Sequence, residues 1–277
     1  MELKKILIPN DFSDCAINAI HFARDIAVRS GAELVFLTTN PIPMVHADPL
    51  AVDMTVIPVH DQIEKQTDQL YQNIMRSIDL YALTHSIIKS NTSFMDAIED
   101  ALQANDIDLI VTGTHDQHNI FDRLFGSHSV QLIQYCKIPV LMIPENASKV
   151  SFNKIGIALN FQSGEGWDHL DTVRLFCQIY GSEVFILNSA KEGRQLFIYD
   201  DEKVSLSQYL GTIKHSFFTI KEQSDISDHL IGLCDELKLD ALYMHPRNHG
   251  LLEGLLKSSR TNAVAMRIKI PLLTMHE

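Results

Sequence analysis

The octapeptide KILIPNDF at Lys5–Phe12 returns as KIGIALNF at Lys154–Phe161. Three more pairs follow in the same order. AELVFLTT from Ala32 matches SEVFILNS from Ser182, DLIVTGTH (Asp108–His115) matches DALYMHPR (Asp240–Arg247), and KIPVLMI from Lys137 matches KIPLLTM from Lys269. The repeat length, roughly 130–150 residues, is far too long for a solenoid unit. Each copy is instead long enough to bury a core of its own. The polar stretch ENASKVSF (Glu145–Phe152) marks the boundary, dividing the chain into domains 1–147 and 148–277.

Within each copy, short apolar runs alternate with helical periodicity. In the first, strands are expected near 5–9, 34–38, 86–89, 108–112 and 139–143; in the second, near 154–159, 183–187, 216–220, 240–244 and 271–275. Ala16, Ala19, Ile20, Ala23, Ile26 and Ala27 keep the 3–4 spacing of one buried helix face, with Ser13 as N-cap and Gly31 as stop. Strand–helix alternation of this kind builds an α/β fold: two tandem doubly wound domains, each a five-stranded, mainly parallel sheet with helices on both faces. Ligands of such sheets sit beyond the carboxyl ends of the strands, where the strand order reverses. The segments PND and GTH fall side by side there. The terminal strands PVLMIP and PLLTM are each at an edge of their own sheet, and exposed apolar edges invite pairing. Val140–Ile143 is therefore expected to pair antiparallel with Leu272–Met275.

Charge and composition remove several classes of function. The net charge is −12, and it is uneven: residues 1–147 sum to −10 and residues 148–277 to −2. A field of that sign repels polyanions, so neither nucleic acid nor an anionic membrane is an expected partner. No apolar run reaches the length of a membrane span, and the start of the chain lacks the apolar core of a signal peptide, so a cytoplasmic location is expected. Four cysteines without CxxC spacing read as buried small hydrophobes of a reducing compartment. Pro41–His60, apolar and proline-rich, is either a flap or a packing surface.

The stretch from Gly113 to Ser127 carries the chemistry. A glycine lets backbone N–H groups come close to phosphate oxygens. Gly126-Ser127 opens a helix whose free N–H groups favour an anion. His115, His118 and His128 with Asp116 and Asp122 form an alternative, a metal site, but no ligand spacing is diagnostic and no metal is expected.

The spacing Gly113-Thr114-His115-Asp116, nine residues, then Gly126-Ser127 resembles the nucleotide loop of the universal stress protein family, and the duplication resembles its tandem form. Where the family pattern has its second glycine, this chain has Asp116. In the second copy the same register reads His245-Pro246-Arg247-Asn248, nine residues, Ser258-Ser259, with no glycine left at the motif positions. The resemblance implies a stress-response binding or regulatory protein that takes an adenine nucleotide, ATP or AMP, in its first domain. Pro9, Asn10 and Asp11 would flank the adenosine, with Asp11 at the base and Thr39 lining the pocket. Gly113, Thr114, His115, Asp116, Gly126, Ser127, His128 and Ser129 would hold ribose and phosphates. Asp116 places a carboxylate beside a polyanion, which weighs against tight triphosphate binding. The alternatives are a slow ATPase, for which no Walker lysine or paired magnesium carboxylates are evident, and a scaffold without nucleotide. A homodimer is implied by the resemblance alone.

Overall fold

The computed structural model describes residues 2–40, 56–114, 127–147, 150–159, 166–190, 196–221, 226–245, 264 and 267–275. The strands are β1 (Lys5–Pro9), β2 (Glu33–Thr39), β3 (His85–Ser90), β4 (Leu109–Thr114) and β5 (Val140–Pro144), then β6 (Lys154–Leu159), β7 (Glu183–Ala190), β8 (His215–Lys221), β9 (Ala241–Met244) and β10 (Leu272–Thr274). All ten stand where the apolar runs place them. Between them run α1 (Asp14–Ser30), α2 (Val56–Ser77), α3 (Phe94–Ala104), α4 (Ser127–Tyr135), α5 (Asp171–Tyr180), α6 (Leu196–Leu210) and α7 (Ile226–Leu237).

The strands form one sheet in the order β3-β2-β1-β4-β5-β10-β9-β6-β7-β8. Each half keeps the same internal order, and every neighbouring pair is parallel except one. That exception is the joint, where β5 meets β10 antiparallel with Val140 opposite Thr274, Leu141 opposite Leu273 and Met142 opposite Leu272. The pairing expected of the two terminal strands is therefore present, and two five-stranded sheets become a single ten-stranded one.

Local chemistry repeats along with the order. Asp108 accepts the backbone N–H groups of Lys4 and Lys5 at 2.7 and 2.9 Å, and Asp240 accepts that of Lys154 at 3.0 Å. The helices α1 and α5 both end on glycines in the left-handed region, Gly31 at φ 79° and Gly181 at φ 67°, where a Cβ would be strained. Ser13 caps α1 by accepting the N–H of Ala16, a contact worth about 1 kcal/mol.

Strand alternation divides the core between the two faces. Ile6, Ile8, Leu34 and Phe36 pack under α1 and α2, and the same cluster runs on through Leu141 and Leu273 to α5 and α6. On the other face Leu7, Val35 and Ile110 lie under α3 and α4, continuous through Met142 and Leu272 with α7. Neither cluster stops at the joint. Phe152, just past the boundary, seals it with edge contacts to Phe22 of α1 (6.2 Å) and Phe176 of α5 (5.0 Å). Tyr180 of α5 donates its O–H to Asp25 of α1 at 2.9 Å, and Arg29 lies over the Tyr180 ring at 4.8 Å. Burial pushes this phenol far up, and the Asp25 carboxylate adds to the rise.

Cys15, Cys136, Cys177 and Cys234 are buried free thiols, as their apolar surroundings in the sequence imply. Burial pushes Cys136 up to about 11 and Cys177 and Cys234 to about 12, from an ordinary value of 9.0. Below pH 9 these thiols are protonated in both folded and unfolded chains and contribute no pH dependence. Above it the unfolded thiols ionise while the folded ones hold their protons, so stability falls as pH rises. Urea midpoints measured from pH 8 to 10.5 should drop, and replacing Cys177 and Cys234 by alanine should flatten that drop.

Candidate functional site

In the first half β1 has β2 and β3 on one side and β4 and β5 on the other, so the strand order reverses between β1 and β4. The ends of these two strands hold the expected residues. Pro9 and Asn10 are buried and Asp11 is exposed. The Asn10 side-chain oxygen accepts the N–H of Phe12 at 3.0 Å, closing a local turn. That turn holds Phe12 at φ 66°, rare for an aromatic residue, with its ring edge-on to Tyr71 at 5.0 Å.

Asp11 serves the helix as well as the crevice. One carboxylate oxygen accepts both the N–H and the hydroxyl of Ser13, at 3.0 and 2.5 Å, so Asp11 steadies the cap of α1. Its other oxygen has no partner among the described residues. Cys15 follows in the first turn; burial raises its thiol most, its 3.1 Å contact with the Ser13 hydroxyl opposes the rise, and the Asp11 charge adds to it.

From β2 it is Thr38, not Thr39, that meets Asn10. The Thr38 hydroxyl donates to the Asn10 carbonyl at 2.9 Å and shares a 2.5 Å contact with the Tyr71 hydroxyl of α2. Strand alternation explains this: Leu34, Phe36 and Thr38 share the α1–α2 face, whereas Thr39 points away, half-buried and opposite Ser90. Burial raises the Tyr71 phenol, and its contact with the Thr38 hydroxyl, then the nearby Asn10 side chain, hold that rise in check. The Asn10 amide nitrogen, though this close to Tyr71, reaches no acceptor at full hydrogen-bond distance.

Gly113 and Thr114 end β4. A Cβ on Gly113 would lie 2.2 Å from the Cys15 carbonyl oxygen and 2.5 Å from its carbon. The glycine is required by the first turn of α1, which packs directly on the strand. The Gly113 carbonyl accepts the hydroxyl of buried Ser129 at 3.2 Å, tying the start of α4 to the end of β4. Ser127 begins that helix. His128 does not turn into the crevice: its ring lies flat on Phe94 at the start of α3, 4.0 Å between centroids and 9° between planes. His115, Asp116 and Gly126, with His118 and Asp122, lie outside the described residues, as does much of Pro41–His60. Among the described residues no three histidine, cysteine, aspartate or glutamate side chains group as a metal site, and no helix is long and apolar enough to cross a membrane.

The matching crevice of the second half has other contents. Asn188 stands where Thr38 does and is buried, its side-chain oxygen without a donor. His245, just past β9, stacks on His169 at 4.6 Å, and the Tyr243 hydroxyl donates to the His169 carbonyl at 2.8 Å. Trp167 donates to Ser205 of α6 at 3.0 Å. His169, Trp167, Thr38 and Tyr71 were not singled out from the sequence. Only the face-by-face alternation of β2 could have pointed to Thr38.

The family model for the universal stress protein family matches residues 2–144, and the chain belongs to that family. Solved structures agree over the whole length. A universal stress protein from Archaeoglobus fulgidus DSM 4304 is 15% identical, with 98% of each chain covered and a TM-score of 0.76. A putative universal stress protein from Pseudomonas aeruginosa UCBPP-PA14 is 13% identical over 99% of this chain and 93% of that one, at 0.64. The cytoplasmic domain of a prokaryotic cation chloride cotransporter also matches, at 9% identity, 99% and 95% coverage and 0.58. The fold is therefore shared beyond stress proteins and does not by itself assign a function. No curated protein sequence matches the chain.

The Gly113 geometry makes a sharp prediction. Gly113→Ala should destabilise the protein by about 2 kcal/mol or more, because the clash is with backbone that cannot step aside. Urea unfolding checks this; a loss below about 0.5 kcal/mol would show that α1 does not rest on β4 as described.

Proposed function

We propose that the chain is a two-domain binding and regulatory protein of the cytoplasm, residues 1–147 and 148–277, that takes an adenine nucleotide weakly at the β1/β4 crevice of its first domain. The reading rests most on the Ser129–Gly113 hydrogen bond, which stations the amide-rich start of α4 at the end of β4, in the half where the Asn10–Asp11 turn ends β1. Free helix N–H groups and a carboxylate with an open oxygen suit a phosphate and an amino-bearing base respectively. The absence of a side chain at Gly113 carries no weight here, since packing against Cys15 requires it with or without a ligand. The second domain, with Asn188, His169 and His245 in its crevice, takes no part in nucleotide binding and serves by covering β5. The chain acts as a homodimer.

Asp116 sets the ligand preference. A carboxylate about 4 Å from phosphate costs on the order of 1 kcal/mol in water, which is about fivefold in affinity. Asp116→Gly should therefore tighten ATP about fivefold and adenosine hardly at all, and Asp11→Ala should weaken both. Calorimetry decides. Equal ATP affinity with and without Asp116 removes the charge argument, and no heat with any adenine ligand removes the site.

A further inference from the structure

The buried contact between Thr38 and Tyr71 has a direction. The Thr38 hydroxyl has one proton and gives it to the Asn10 carbonyl at 2.9 Å, so in the 2.5 Å contact it is the Tyr71 hydroxyl that donates. The chain of bonds runs one way, from α2 through β2 to the end of β1. Asn10 in turn donates its backbone N–H to the Leu37 carbonyl of β2 at 2.8 Å. Thr38 and Tyr71 are only 4% and 2% exposed, so water does not compete for these bonds and each polarises the next.

Tyr71 also reaches the other end of the same turn. Its ring meets that of Phe12 edge-on at 5.0 Å and is steadied by Phe36 at 5.9 Å. Phe12 is held at φ 66°, a conformation that costs free energy and persists only where its surroundings fix it. Asp11 lies between the two fastened residues and is the exposed member of the turn. The second half lacks this arrangement. The left-handed residue that stops α6 is Gly211 at φ 60°, and the one after α2 is Asp79 at φ 55°. In that register Leu206 and Leu210 match the buried Ile74 and Ile78, and Lys203 stands for Tyr71. Lys203 lies over the Phe217 ring at 5.8 Å, and Asn188, in the place of Thr38, keeps an oxygen that accepts nothing. The half that has lost its motif glycines has lost the bonded chain with them.

We propose that Tyr71 is a positioning residue for the ligand of the first crevice: from α2 it fixes, through Thr38 at one end and the Phe12 ring at the other, the turn that presents Asp11. This rests on the nucleotide binding proposed above and adds that α2 sets the affinity for the adenosine end of the ligand. Tyr71→Phe isolates the role. It keeps the ring on Phe12, removes only the donated proton and strands no buried donor, so the fold is retained.

Calorimetry of the full chain with adenosine should give a dissociation constant raised about fivefold in Tyr71→Phe, the worth of one net hydrogen bond, and AMP should weaken by the same factor. Thr38→Val cuts the same chain at its middle, so the double variant should bind no more weakly than Thr38→Val alone. Without ligand, the Phe12 amide should exchange with solvent faster in Tyr71→Phe, while the core amide of Leu7 keeps its rate. A wild-type chain that takes no adenosine overturns this inference together with the binding it rests on. Adenosine or AMP affinity unmoved by Tyr71→Phe, losses that multiply in the double variant, or an unchanged Phe12 exchange rate overturns the positioning role alone.

Discussion

Everything else in the molecule depends on three pairs of residues across the antiparallel joint, Val140–Thr274, Leu141–Leu273 and Met142–Leu272. Without them β5 and β10 would each be an unpaired apolar edge, open to aggregation. With them the side chains alternate into both core clusters at once, Leu141 and Leu273 on the α1–α5 face and Met142 and Leu272 on the other. Each buried aliphatic side chain there contributes about 1.5–3 kcal/mol. A short ladder thus carries a large share of what holds the halves together. Phe152 and the Tyr180–Asp25 hydrogen bond close the same joint from the helix side.

The joint also positions the crevice. Asn18 of α1 donates to the carbonyls of Pro144 and Ala147, both at 3.1 Å, so the helix that rests on Gly113 is also tied to the end of β5. The caps of α1, the Asn10 turn and the Thr38–Tyr71 contact then fix the end of β1 against β2 and α2. Two helices and the terminal strand of the same half therefore share responsibility for the geometry at Asp11. The second half has a physical reason to persist, because β10 covers the edge of β5 on which the first half's crevice leans.

Much of this was legible in the sequence, for identifiable reasons. Strands announced themselves as apolar runs, and Ser13 and Gly31 bounded α1 because capping chemistry is local. The joint followed from two unpaired terminal strands. The site was less legible. Gly113 sits at the expected place, and its packing role was not legible, since only the folded chain brings Cys15 onto β4. The resemblance points to Thr39 by its place in the chain; alternation with Leu34 and Phe36 puts Thr38 beside Asn10. Tyr71 lies 33 positions from Thr38, and no periodicity links a helix face to one strand-end hydroxyl. His128 was assigned to phosphate, yet its ring finds Phe94 of another helix, a contact visible only in three dimensions.

The central claim is that the two halves form one cooperative sheet through β5 and β10. Native-state hydrogen exchange in rising urea tests it most directly, reading the amides of Leu141 and Leu273 beside core amides of each half, Leu7 and Ile157. If the joint belongs to a single sheet, all four exchange only through global unfolding, with the same free energy and the same urea dependence. Joint amides that open at lower free energy while Leu7 and Ile157 stay protected, or two separate unfolding energies for the two halves, would contradict it.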